Sequence, residues 1–278
     1  MTFAADLAVH NTSRDLLTAY AAKPRHGLLI HGDIGVGLLT TARAIASEIA
    51  ESPNSTMVIM PEDGKDISIA DIRQLYYDTQ SSRDSPQIII IDDADRMSLP
   101  AQNAFLKLLE EPPRHVYFIL TSHAPQALLA TIESRVEAIE LRRIGLEMSK
   151  QLIEAEKVSD PKKTQQLLFM ASGRPAQLIR LIRSDEYFEV EAAVMRRARD
   201  IIEGSTYSRL IAVKDLATDR EKARQVLAAM GEMLLSRLDD TSRLTATLRR
   251  IDTIADAIDA IQANGNARLH LMGVVLSL

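Results

Sequence analysis

Gln87-Ile88-Ile89-Ile90-Ile91-Asp92-Asp93-Ala94-Asp95 sets four consecutive isoleucines ahead of three acids. A β-branched run with no polar face reads as a strand buried on both sides, the kind found in parallel sheets. A second apolar run, Val116-Tyr117-Phe118-Ile119-Leu120, ends in Thr121-Ser122. Polar residues at the C-terminal ends of buried strands are what a parallel α/β sheet presents to a ligand.

Between these runs, Ser98 to Glu111 reads as a helix. Ala101, Ala104, Phe105, Leu108 and Leu109 recur at helical spacing, and Pro112-Pro113 stops it. Further strands are expected at Gly27–Ile30, Met57–Met60 and Glu137–Leu141, and helices at Asn11–Ala22, Thr41–Glu51, Ile69–Gln80 and Gln126–Glu133. Five strands alternating with helices predict a parallel sheet covered on both faces. After Ile144 the strand signal disappears and helical periodicity runs to the end. The chain is therefore expected to divide into an α/β domain over 1–144, a small helical domain over 145–185 and a larger helical domain over 186–278.

His31-Gly32-Asp33-Ile34-Gly35-Val36-Gly37-Leu38-Leu39 follows the first strand and precedes a helix, the setting of a phosphate-binding loop. Glycines at 32, 35 and 37 would let backbone N–H groups turn toward phosphates. A working loop then carries Lys and Ser or Thr, whereas Leu38 and Leu39 stand there. Leu38 cannot neutralise a phosphate and Leu39 has no hydroxyl for Mg²⁺. The loop reads as a retained strand-to-helix turn, with Gly32, Gly35, Gly37, Asp92, Asp93 and Thr121 as a vestigial nucleotide site, and no bound ATP is expected. Asp92 and Asp93 could hold Mg²⁺ in an intact site. Here they are read as remnants, and no metal is assigned.

Composition narrows the classes further. The hydrophobic fraction is 46%, aromatics are 4%, and the formal net charge is −5. An acidic balance argues against a protein that holds DNA by itself. The chain has no cysteine, which removes disulfides, thiolate zinc sites and cysteine nucleophiles together. Neither a leader-like N-terminus nor a membrane-length apolar run is present, so a cytoplasmic protein is expected.

Asp92 to Met97, then Asn103-Ala104-Phe105-Leu106-Lys107-Leu108-Leu109-Glu110-Glu111-Pro112-Pro113, then Thr121-Ser122, then Leu128 to Arg135, resemble the AAA+ clamp-loader family. The resemblance is strong over 10–143, weakens to a helical layout over 144–185, and beyond that rests on length and helicity. It implies an AAA+ P-loop-type α/β domain, a helical lid and an all-α C-terminal collar. It also implies a non-motor subunit of the clamp loader assembled with bacterial DNA polymerase III, without ATPase activity alone. Its partners would be the motor subunits and the delta subunit of a hetero-pentamer, with the sliding clamp and primed DNA engaged through the complex. Arg135 would act as an arginine finger in a neighbour's ATP site, with Ser134 setting its direction; such fingers are worth ~10³–10⁵ in rate. On the residues alone, Arg135 could instead pair with Glu133 or Glu137 at the surface.

Three departures accompany the resemblance. The turn at 52–56 lacks the four-cysteine zinc module common in the family, and Val136 replaces the cysteine usual after Ser-Arg. Arg174 matches an arginine that motor subunits place on their own nucleotide, and is expected here to face solvent or a neighbour. Two rivals remain: an active AAA+ motor with an atypical loop, and a degenerate AAA+ adaptor outside replication.

Overall fold

The computed structural model describes residues 7–50, 52, 55–62, 65–79, 85–235 and 244–278. The expected turn at 52–55, the loop at 81–86 and the ends of two helices near 240 lie partly outside these residues. The chain separates into two compact units, 1–183 and 184–278.

In the first unit, helices α1 (Asn11–Ala22), α2 (Leu38–Ile49), α3 (Ile69–Thr79) and α4 (Leu99–Glu110) alternate with strands β1 (Gly27–Gly32), β2 (Thr56–Ile59), β3 (Gln87–Ile91) and β4 (Val116–Ser122). A short α5 (Ala130–Glu133) leads to β5 (Glu137–Leu141). The five strands form one sheet in the order β2-β3-β4-β1-β5, every pair parallel. Alternation across the pleat explains the isoleucine run. Ile89 and Ile91 pack on one face with Phe105, Phe118 and Leu108, while Ile88 and Ile90 pack on the other with Leu17, Ala42 and Ile45. Phe105 of α4 meets Phe118 of β4 edge to face, with centroids 5.2 Å apart.

Helices α6 (Leu146–Ala155), α7 (Pro161–Ala171) and α8 (Pro175–Arg183) complete this unit. Ile153, Leu167, Met170, Leu178 and Leu181 are buried. Ile144 N donates to Gly173 O at 2.8 Å, tying the exit of β5 to the break between α7 and α8.

Two elements differ from expectation. Helix α2 begins at Leu38 rather than Thr41, because Leu38 is itself buried and anchors the first turn. The segment 126–133 is a single 3-10 turn, Pro125–Ala127, followed by extended residues and α5. Gln102 supplies the reason: its Nε2 donates to Ala127 O at 3.2 Å and its Oε1 accepts from Leu129 N at 2.8 Å. These bonds take backbone groups that a continuous helix would need.

The second unit contains α9 (Asp185–Glu203), α10 (Thr206–Leu216), α11 (Arg220–Leu235), α12 (Leu244–Gln262) and α13 (Ala267–Ser277). Ser184, Ser205 and Asn266 cap three of them through bonds from Tyr187 N, Ser208 N and Leu269 N. Its core holds Met195, Ala198, Leu216, Val226, Met230, Ile254, Ala257, Leu271 and Val274. Among the described residues, no helix is long and apolar enough to cross a membrane.

Candidate functional site

Strand β1 delivers the chain into the glycine loop at the C-terminal edge of the sheet. Gly35 (φ 91°) and Gly37 (φ 96°) have the positive φ that side chains resist, so the turn requires glycine at both positions. Its surroundings differ from a phosphate site. Leu38 is 3% exposed and packs among Val36, Ala42, Leu28 and Ile30. The position that would carry the lysine is thus turned into the core.

The first turn of α8 rests on the loop. Gln177 N donates to Gly35 O at 3.0 Å. A Cβ on Gly35 would lie 2.9 Å from Gln177 Cβ, and one on Gly37 would lie 3.5 Å from Ala176 Cβ. Arg143 Nε donates to Asp33 Oδ2 at 2.6 Å and its Nη1 to Ser172 Oγ at 3.2 Å. A buried leucine thus stands at the lysine position, and Gln177 lies against Gly35.

The ends of β3 and β4 meet beside the loop. Thr121, fully buried, donates its hydroxyl to Asp92 Oδ1 at 2.6 Å and accepts from Asp93 N at 3.0 Å. Asp93 has φ 48°. Its carboxyl is held above the usual carboxylate range, chiefly by burial and then by the neighbouring Asp92 charge, with His123 opposing. His123 Nδ1 lies 2.8 Å from Gly32 O. A carbonyl only accepts, so Nδ1 carries the proton. The other ring nitrogen is 3.8 Å from Asp93 Oδ1, and His123 N donates to Asp95 Oδ1 at 3.1 Å. The structure therefore brings Gly32, Asp92, Asp93 and Thr121 together, with Gly32 O, Asp92 Oδ1 and Thr121 Oγ1 engaged by groups of the chain itself. Among the described residues no group of three acidic or histidine side chains could hold a metal ion.

Ser134 and Arg135 lie elsewhere. A Cβ on Gly27, at the start of β1, would lie 3.4 Å from Arg135 O. The glycine loop begins at the other end of that strand, Gly32, a span of roughly 17 Å at ~3.3 Å per residue. Arg135 thus stands at the N-terminal edge of the sheet, away from its own loop. Its Nη1 donates to Thr131 O at 2.9 Å and to Ser134 Oγ at 3.3 Å, and its Nη2 to Glu110 Oε1 at 2.9 Å. Ser134 Oγ in turn donates to Thr131 O at 3.0 Å. The acid partner is Glu110 and not Glu133 or Glu137; Glu137 instead faces Arg25 at 3.6 Å. Arg174 turns back on α7, donating to Ala171 O at 2.9 Å and Met170 O at 3.1 Å.

Three residues of these clusters, His123, Glu110 and Gln177, are not marked by the sequence motifs. His123 sits two residues past Thr121 at the same strand end, and that position was the available clue. Glu110 and Gln177 meet their partners only through the tertiary fold.

A family model described as "DNA polymerase III, delta subunit" matches residues 47–145. The chain is 24% identical over 260 residues to DNA polymerase III subunit delta' of Haemophilus influenzae, covering 85% of this chain and 79% of that protein. It is 30% identical over 160 residues to subunit delta' of Yersinia pestis, covering 53% of this chain and 46% of that protein. In structure it is similar to a DNA polymerase III gamma subunit-related protein of Thermotoga maritima: TM-score 0.60, 19% identity, 96% of this chain and 98% of that one. It also resembles the RuvB Holliday junction branch migration motor of Thermotoga maritima, with TM-score 0.51, 17% identity, and coverage of 81% and 77%. At such identities these two likenesses speak for the fold, an AAA+ type.

Proposed function

As the chain belongs to the AAA+ clamp-loader family and is similar to its delta' subunits, we propose that it serves as a non-motor subunit that completes a neighbouring motor subunit's ATP site. In this reading Arg135 is the finger and Ser134 orients it. The chain would work beside motor subunits and a delta subunit in a hetero-pentamer that loads the sliding clamp onto primed DNA.

One observation carries the reading. Arg135 stands at the sheet edge opposite the glycine loop, a strand's length from Gly32, so it cannot act on a nucleotide in its own loop. A guanidinium that serves a phosphoryl group from there must serve one held by another chain. The buried leucine at the loop's lysine position gives further support, because a subunit without its own site contributes chemistry only in trans. The finger's work is electrostatic: a planar cation offsets charge developing on the γ-phosphoryl oxygens.

The test is the DNA-stimulated ATPase of a loader reconstituted with Arg135→Ala. The rate is expected to fall, with assembly by gel filtration intact, and Arg135→Lys is expected to restore little because an ammonium lacks the planar fork. An unchanged rate with Arg135→Ala would remove the finger reading and favour an adaptor role.

A further inference from the structure

We propose that Glu110 is a positioning residue for Arg135, holding the guanidinium in the orientation that meets the neighbour's phosphate. The proposal rests on the reading of Arg135 given above.

Arginine has five N–H donors. Three of Arg135's are used, on Thr131 O, Ser134 Oγ and Glu110 Oε1. Nε–H and one Nη2–H remain for a phosphate. The three acceptors sit on a braced frame. Thr131 lies within α5 and Ser134 caps its C-terminus. Glu110 is the last residue of α4. The same helix grips the start of this segment through Gln102, which is 4% exposed and bonded to Ala127 O and Leu129 N. One helix therefore holds both ends of the stretch 127–135.

The pair is too exposed to matter for folding: the Arg135 and Glu110 side chains are 36% and 51% exposed. Its use lies in pre-organisation. A long, flexible side chain already held in one geometry loses less freedom when it engages a phosphate. Among the described residues, Glu110 is the one hydrogen-bond partner of the Arg135 side chain from outside the finger's own turn.

The experiment compares Glu110→Ala, Glu110→Gln, Arg135→Ala and the double variant in a loader reconstituted from motor subunits, delta subunit and this full chain. The readout is DNA-stimulated ATPase. Glu110→Ala is expected to lower kcat by up to about a hundredfold, the scale of a displaced catalytic group, with KM for ATP unchanged. Glu110→Gln is expected to keep most of the rate, because its amide oxygen accepts the same bond. The double variant is expected to match Arg135→Ala, since Glu110 acts through that residue. The thermal midpoint of the isolated Glu110→Ala chain is expected to stay at the wild-type value.

A wild-type rate for Glu110→Ala beside a slow Arg135→Ala would overturn the role of Glu110 and leave the finger standing. A wild-type rate for Arg135→Ala would remove the reading beneath both. A double variant slower than Arg135→Ala, or a Glu110→Gln as slow as Glu110→Ala, would show that Glu110 acts by some route other than this hydrogen bond.

Discussion

Leu38 stands where a phosphate loop carries its lysine, and its side chain is committed to the core. Leu38→Lys would forfeit that burial, while the ammonium leaves along the stem toward water, at a cost of about 2 kcal/mol. The urea midpoint should drop accordingly, and calorimetry with millimolar ATP and Mg²⁺ should show no heat, because Gln177 still rests on Gly35. Micromolar binding by this variant would mean that the α8 contact yields and that the lysine alone had been missing. Asp93 offers a second residue-level test. Burial and Asp92 hold its carboxyl above the ordinary 3.8, so the folded chain keeps this proton at pH values where the unfolded chain has released it. Stability from this group is present below pH 3.8 and is lost as pH rises through the raised folded value. Asp93→Asn should therefore be more stable than wild type at pH 7, with the gain vanishing below that lower limit; asparagine also accepts the left-handed backbone. A less stable variant at pH 7 would mean that His123 and Arg96 favour the carboxylate more than burial opposes it. The missing lysine was legible at this scale. The destination of Leu38 and the partner of Arg135 were not, since Glu110 is 25 residues away in sequence.

Among the elements, strands were the most legible. Runs such as Ile88–Ile91 and Val116–Leu120 admit no amphipathic alternative, and paired acids or hydroxyls marked their functional ends. The stretch 126–133 misled because apolar residues at helical spacing, Leu128, Leu129 and Ile132, serve a bent segment instead. What bends it is Gln102, a buried polar side chain whose amide also donates to Met97 O at 3.2 Å. Polar residues inside a helix pattern give no hint of a long-range clamp. Gln102→Ala should cost about 2–3 kcal/mol, because Leu129 N and two carbonyls lose partners in a buried site. Denaturant unfolding checks this. A loss below about 0.5 kcal/mol, the scatter of ordinary surface changes, would mean that water replaces the clamp and that α4 does not brace the finger segment.

For the molecule as a whole, the sequence announced an α/β part followed by helices, and the described chain separates between Arg183 and Ser184. The lid-like helices α6–α8 stay with the sheet unit, held by Ile144 to Gly173, Gly35 to Gln177, and Arg143 to Ser172. Those contacts join residues distant in sequence, so spacing alone could not foretell them. They lie at the glycine-loop edge of the sheet, whereas Arg135 lies at the other edge. The most direct measurement is phosphate release in a single turnover by loaders carrying wild-type chain or Arg135→Ala, with bound ATP counted in parallel. The account predicts that Arg135→Ala leaves the number of ATP bound unchanged and removes the burst from the one site that this chain completes. An undiminished burst, or the loss of a bound ATP in place of a lost burst, would contradict it.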